Sequence, residues 1–467
     1  MNETRKARVG LLGLMVELYD HMFPGLRAEM AEFGAELAET LSPFAEVDFP
    51  GVCNSREQVE RVVAGFEADG RDLIIVVLFT YAPSHIALPA LCNTNLPILV
   101  FNTQQLQAVT EDTVSMDTTK NHGMHAVQEL ANVLLRAGRE FHIVTGHYKD
   151  QNALKEVKSW CDAARTARFM PRVRIGLIGY PAEGMGDIFV DETAFLSQLG
   201  VEVHHLAMKG TAARAKAAPE RDIERQMAED RDHFEFDEGI TREEHEASSR
   251  LEWALREILR ERGMHGFTYN FGAVDEEGQL DTFPFLAASK LLAEGYGFGG
   301  EGDVSSATAV ALMREMAGSA NFTEMFTMDF ASNSVLMMHM GECNWKMARK
   351  DSPIHLMRNT LALGSLPINP VLLAFTLEPG EVTLLSLTTL RDGKLKMIVT
   401  EGQVPDFPFI PDLARPHSKF RPDNDLGDFL THYSLEGGTH HQAMVYGRWA
   451  GTVQKTAALL GLECARV

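Results

Sequence analysis

LIIVVLF, Leu73 to Phe79, is seven aliphatic or aromatic residues in a row with no polar alternation. A run this short and continuous predicts a strand buried on both faces, as inside a parallel sheet. Its neighbours carry the same message. RVGLLGL (Arg8 to Leu14), LPILVFNT (Leu96 to Thr103) and FHIVTGH (Phe141 to His147) are further strand-sized apolar runs. Between them lie helical patterns: GLRAEMAEFGAELAETL, then SREQVERVVAGFEADG opening on Ser55 as N-cap, ALPALCN, and HGMHAVQELANVLLRAG stopping at Gly138. Buried strands alternating with helices predict a doubly wound parallel sheet.

A second unit of this kind starts near Pro171. RVRIGLIGYP and VEVHHLAM read as strands around the helix DETAFLSQLG. The polar stretch from about Ala212 to Arg250 keeps apolar residues at helical spacing, which predicts solvated amphipathic helices. LEWALREILRERG and PFLAASKLLAEG are helical, and GFTYNF is strand-like. From about Asn321 the pattern turns β-branched, and Asp392–Gly393 lies between two strand patterns as a hairpin signal. The fold class expected is α/β: two doubly wound parallel-sheet domains, residues 1–170 and 171–320, then a β-rich antiparallel C-terminal domain, residues 321–467. A terminal helix is expected from about Gln442 to Leu460.

Bulk composition narrows the function. The 467 residues are 45% hydrophobic, enough for about three domains with ample cores. The formal charge is −22, so phosphate backbones and anionic membranes are unfavourable partners. The apolar runs are too short to span a bilayer. The N-terminal MNETRKARVGLLGL lacks a signal core with a cleavage site, so the cytoplasm is the expected compartment. Five scattered cysteines, Cys53, Cys92, Cys161, Cys343 and Cys464, form no disulfide framework and read as reduced thiols.

The chemistry concentrates in GYGFGGEGD, Gly295 to Asp303. Its glycines match GxGxxG, but a helix precedes them where a dinucleotide fingerprint needs a strand. They serve instead to fold the backbone tightly and present Glu301. Asp303 suits the N-cap of the helix that follows. Glu324 is flanked by apolar residues in NFTEMFTMDF, His339 sits in VLMMHMGE read as an apolar strand, and His440–His441 follow two glycines. A buried carboxylate demands a cation or metal beside it. Two carboxylates with two imidazoles suit manganese or another divalent cation, since oxygens alone favour magnesium or calcium and thiolates favour zinc. Adjacent histidines in a strand point to opposite sides, so at most one of His440 and His441 would ligate a given ion, leaving the other for substrate. His204–His205 has no acidic companions and reads as structural. His122, opening a helix in NHGMH, is either a cap-region group or a pocket wall.

With these residues quoted, the chain resembles the L-arabinose isomerases within the wider L-fucose/L-arabinose isomerase family. The likeness runs nearly end to end: FTYAPSHIALPAL, LPILVFNTQ, NHGMH, IVTGHYKD, GYGFGGEGD, NFTEMF, VLMMHMGE and GGTHHQAM, in order. It implies a manganese-dependent aldose–ketose isomerase, L-arabinose to L-ribulose, whose metal ligands map onto Glu301, Glu324, His339 and His441. It implies sugar contacts at His122, contributed by a neighbouring subunit of a trimer or hexamer, with His440 beside the metal set. The expected mechanism is a metal-chelated enediolate, with Glu301 and Glu324 as the carboxylates that shuttle the proton. Two departures bear on the sugar. Met15-Val16-Glu17-Leu18-Tyr19 lacks the family's glutamine, and Val304-Ser305 replace its Trp-Lys after GEGD. The alternatives are a same-family isomerase for a different sugar and a non-catalytic sugar-binding protein on the same scaffold.

Overall fold

Leu73–Leu78 is the middle strand of a parallel sheet, and none of its residues is more than 3% exposed. The computed structural model of the chain describes residues 4–272, 280, 282–359 and 369–467. Two compact units divide it, residues 5–168 and 169–467. In the first, the strand order is Ala45–Asp48, Ala7–Leu14, Leu73–Leu78, Ile98–Asn102, His142–Thr145, with Val52–Cys53 also paired to Ala7–Leu14. All pairings are parallel, and the order is that of a doubly wound sheet. One face packs on helix Arg56–Ala68 through Val59, Val63 and Phe66 and on helix Met124–Arg136 through Val127, Leu130 and Leu134. Burying each such side chain is worth about 1.5–3 kcal/mol. Ser55 caps the first of these helices, accepting from the Gln58 amide, and Gly138 ends the second at φ 68°.

The second unit opens with a four-stranded parallel sheet in the order Gly297–Gly299, Gly266–Tyr269, Arg174–Ile178, Glu202–Leu206. The order reverses between Arg174–Ile178 and Gly266–Tyr269, so their carboxyl ends flank the crevice where open α/β sheets bind ligands. The polar stretch folds as the helices Met208–Lys216, Glu220–His233 and Arg242–Glu261, the last with a capping box between Thr241 and Glu244.

Six further strands form a closed antiparallel ring: Gly380–Thr389, His441–Tyr446, Asn321–Asp329, Ser334–Met338, His417–Pro422, Leu395–Val404, and back to Gly380–Thr389; Glu463–Arg466 adds to Leu395–Val404 in parallel, and Val371–Ala374, His355–Arg358 and Glu235–Phe236 make a separate small sheet. Closure removes the exposed edges an antiparallel sheet would otherwise carry. Asp392–Gly393 turns the hairpin, with Gly393 at φ 77°. Helix Val304–Ala317 is buried nearly all round because it packs on both the parallel sheet and this ring, sharing one core with Phe298, Phe322, Leu385 and Ala443. Val304 and Ser305 are 1% and 3% exposed, part of that core.

Two sequence expectations are corrected. The last helix is Ala450–Leu460, not a helix from Gln442, because Gln442 belongs to a strand held on both sides by Asn321–Asp329 and Gly380–Thr389. Pairing on both edges outweighs local helical spacing. His339 lies one residue beyond strand Ser334–Met338 rather than within it.

A buried ion network holds the helices of the second unit together. Lys290 Nζ lies 2.6 Å from Asp230 and 2.9 Å from Glu252, carboxylates 1% and 0% exposed, and His245 Nε2 is 2.9 Å from Asp230. Burial alone would raise the Asp230 carboxyl, but the His245 hydrogen bond and the Lys290 charge outweigh it and hold the pKa below the ordinary value. The stability this adds is present above the ordinary carboxylate pKa and lost as pH falls through the lower folded-state value. At pH 7, Lys290→Met removes the cation shared by two buried acids, leaving Asp230 with His245 and Glu252 with Arg256, and lowers the unfolding free energy by about 3–5 kcal/mol in urea titration. A change under 1 kcal/mol would mean the network is redundant. No helix among the described residues is long and apolar enough to cross a membrane.

Candidate functional site

Glu301 follows strand Gly297–Gly299 at the carboxyl edge of the central sheet and takes φ 60°, a left-handed conformation that a glutamate rarely holds. The turn is pinned around it. Its carbonyl accepts from the Ala182 amide at 2.8 Å, the Gly302 amide donates to Tyr269 O at 3.0 Å, and the Asp303 amide donates to Gly300 O at 2.8 Å. Gly300 has a steric reason: a Cβ there would lie 2.8 Å from His339 Cε1 and 3.0 Å from its Nε2. Strain of this kind persists where the surroundings over-determine it, typically at functional sites.

Two imidazoles face this carboxylate, and a third, His339, packs against one of them. His440 Nε2 is 3.5 Å and His441 Nε2 3.7 Å from Glu301 Oε2. The ring centres of His339 and His441 are 5.2 Å apart. Each ring has its Nδ1 on a carboxylate: His339 on Glu342 at 2.8 Å, His440 on Asp187 at 2.6 Å, His441 on Asp303 at 3.0 Å. In a neutral ring an Nδ1–H donated in this way leaves Nε2 as the bare nitrogen, the arrangement that orients metal-binding histidines. His441 is fully buried, and its Nε2 has no hydrogen-bond partner. An orphaned buried nitrogen is costly without a ligand.

Glu324 sits opposite His441 in the register between their strands, on the same face of the sheet. Among the described residues, the ligand atoms of Glu301, His440 and His441 lie within 4.8 Å of one another, and Glu324 and His339 fall outside that group. Both histidines of the doublet thus face Glu301, although adjacent residues within a strand point to opposite sides. Alternation fails here because His440 belongs to the bend before strand His441–Tyr446 and not to the strand. His122 lies in the first unit. Its Nε2 meets the Tyr19 hydroxyl at 3.0 Å, its Nδ1 is buried without a hydrogen bond, and His125 stacks edge-on at 4.7 Å. His204 and His205 pair with Glu202 and Glu192.

Charge completes the picture. Burial pushes the Glu301 carboxyl up, but the His440 contact and the charges of His339, His441 and His440 hold it below its ordinary value. Glu301 first, and Asp187 behind it, raise the His440 pKa to about 9 despite burial. Burial lowers His339, yet Glu342, Glu324 and Glu301 together raise it. Five acids, Glu301, Glu324, Glu342, Asp187 and Asp303, thus crowd three imidazoles, an excess of acids over rings. A cation restores balance, and mixed imidazole and carboxylate donors fit a divalent ion.

Reading the residues in order missed Glu342 and Asp187. Glu342 had a weak signal, an acid three residues after a histidine in an apolar stretch. Asp187 had none, being 253 residues from His440. Asp303 was expected only as a cap. It does cap helix Val304–Ala317 through Ser306, and its second oxygen also holds His441.

Sequence profiles of known families match along the chain. The L-arabinose isomerase N-terminal domain matches residues 20–170, the L-arabinose isomerase central domain residues 190–319, and the L-arabinose isomerase C-terminal domain residues 319–463. Among similar proteins is L-arabinose isomerase 1 of Bacillus licheniformis, 26% identical over 90% of this chain and 86% of its own length. The L-arabinose isomerase of a Nocardioides species is 26% identical over 96% and 91%. That of Thermotoga maritima is 26% identical over 84% and 80%.

Proposed function

We infer, because the chain belongs to the L-arabinose isomerase family, that it is an aldose–ketose isomerase converting L-arabinose to L-ribulose. The observation that carries the reading is the set of three imidazoles, each held at Nδ1 by a carboxylate, with the unpartnered His441 Nε2 beside Glu301.

The donor set suits manganese or another divalent cation, held by Glu301, Glu324, His339 and His441. Once bound, the ion supplies Lewis acidity toward the sugar's two adjacent oxygens and stabilises negative charge on them. The protein's own groups do the rest. Moving a hydrogen between neighbouring carbons needs a base that takes the carbon-bound proton and returns it to the next carbon. Glu301 and Glu324 are the carboxylates for that task. Glu301 is held ionised by its imidazole neighbours, so it is ready to accept a proton. His440, cationic at neutral pH, is placed to donate to a sugar oxygen. His122, brought by another subunit of a homo-oligomer, trimeric or hexameric, would contact the sugar from the far side. The formal charge of −22 goes with a small neutral substrate rather than nucleic acid or a membrane surface. Five cysteines free of disulfides go with a reducing compartment, the cytoplasm.

The test is direct. Protein purified with manganese should turn L-arabinose into L-ribulose, and in heavy water the product should carry solvent deuterium at the carbon that gains hydrogen. Deuterium-free product at full turnover would replace the proton shuttle by a hydride shift. Inactivity on L-arabinose with activity on another aldose in a panel would move the substrate and keep the class. Metal and sugar binding without turnover of any aldose would favour a non-catalytic binder.

A further inference from the structure

Two of the three groups that hold the imidazoles come from one edge of one sheet, and the third, Glu342, is bonded to a residue of that same sheet. Asp187 lies in the loop after strand Arg174–Ile178 and holds His440. Asp303 follows strand Gly297–Gly299 and holds His441. Between these two strands runs Gly266–Tyr269, and Tyr269 is its last residue. The Tyr269 hydroxyl donates to Glu342 Oε1 at 2.5 Å, and Glu342 Oε2 takes the His339 Nδ1–H at 2.8 Å. Resting on the isomerase reading, we propose that Tyr269 is the positioning residue for His339: through Glu342 it sets the ring's tautomer and direction. Three neighbouring strands of the central sheet thereby each anchor one histidine of the antiparallel ring.

The relay has a defined polarity. Tyr269, Glu342 and His339 are 1%, 2% and 3% exposed, so none can exchange its partner for water. Burial and the Glu342 charge keep the phenol protonated, so it is the donor. Glu342 then accepts on both oxygens, from the phenol and from an N–H on His339 Nδ1. Nε2 is left bare, over Gly300. Without the phenol, one Glu342 oxygen is buried unsatisfied, and the carboxylate is free to rotate. Rotation loosens His339. Loss of such an outer partner typically costs about 10–100-fold in metal affinity.

The test titrates metal-free protein with Mn2+ by calorimetry, alongside thermal unfolding of the same metal-free samples. Tyr269→Phe keeps the ring in its place and removes only the hydroxyl. It should weaken Mn2+ binding about 10–100-fold while the unfolding temperature moves by a few degrees at most. Glu342→Gln keeps one acceptor and should weaken binding less than Glu342→Ala. Tyr148→Phe is the control: that phenol is also buried and also donates to a carboxylate, Glu36 at 2.8 Å, and its loss should leave Mn2+ affinity unchanged. Tyr269→Phe binding Mn2+ like the wild type overturns the relay and leaves the metal reading standing. Wild type that takes up no Mn2+ overturns the metal reading itself, and with it the relay's purpose. Equal weakening in Tyr269→Phe and Tyr148→Phe would reduce the effect to the loss of any buried phenol and also overturns the assignment.

Discussion

Glu301→Ala lowers turnover by about 10^3-fold or more while sugar binding changes only a few-fold. The expectation rests on two roles meeting in one carboxylate. A positioned acid–base group is worth about 10^2–10^4-fold in rate, and Glu301 also sits among the imidazoles where the cation would be held. Stability separates the roles from mere folding. Glu301 holds φ 60°, which costs a residue with a Cβ roughly 1–2 kcal/mol. Glu301→Gly therefore unfolds at higher urea than Glu301→Ala, by about 1 kcal/mol, and is just as inactive. Equal stability of the two variants would dismiss the strain. Unchanged turnover in either would remove Glu301 from the chemistry. Glu324→Ala, tested alongside, is expected to lose turnover as well.

Chelation is expected to have a comparably large effect. Dialysis against a chelator abolishes turnover, and added Mn2+ restores it, whereas Mg2+ restores little because imidazole nitrogens are poor ligands for so hard an ion. Binding to the native state alone adds RT ln(1 + [L]/Kd), about 2.7 kcal/mol at a hundredfold excess over Kd. The unfolding midpoint should therefore climb with Mn2+ concentration and fall back on chelation. Chelated protein that keeps its full rate would sink the metal reading, and a midpoint indifferent to Mn2+ would show that the cluster holds no ion.

Much of the fold was legible because its signals are local. Leu73–Leu78 is apolar throughout and is buried throughout. Ser55 caps its helix as its position predicts, and Asp392–Gly393 turns its hairpin. Glu301 was conspicuous because few arrangements explain one acid among five glycines. What was not legible is what depends on distant pairing. Gln442 reads as helical in isolation, yet two flanking strands claim it. The ring's closure rests on Gly380–Thr389 meeting Leu395–Val404 on one side and His441–Tyr446 on the other, a pairing with no local mark.

By itself the sequence determined the two parallel sheets, the antiparallel region and the short roster of acids and histidines able to do chemistry, since apolar periodicity and glycine-rich turns act over a few residues. Only the tertiary structure decided how those groups are aimed. Asp187, Asp303 and Glu342 each hold one imidazole by its Nδ1, and that choice turns all three rings the same way. A hydrogen bond is governed by distance in space, which residues 253 apart in the chain can satisfy as well as neighbours.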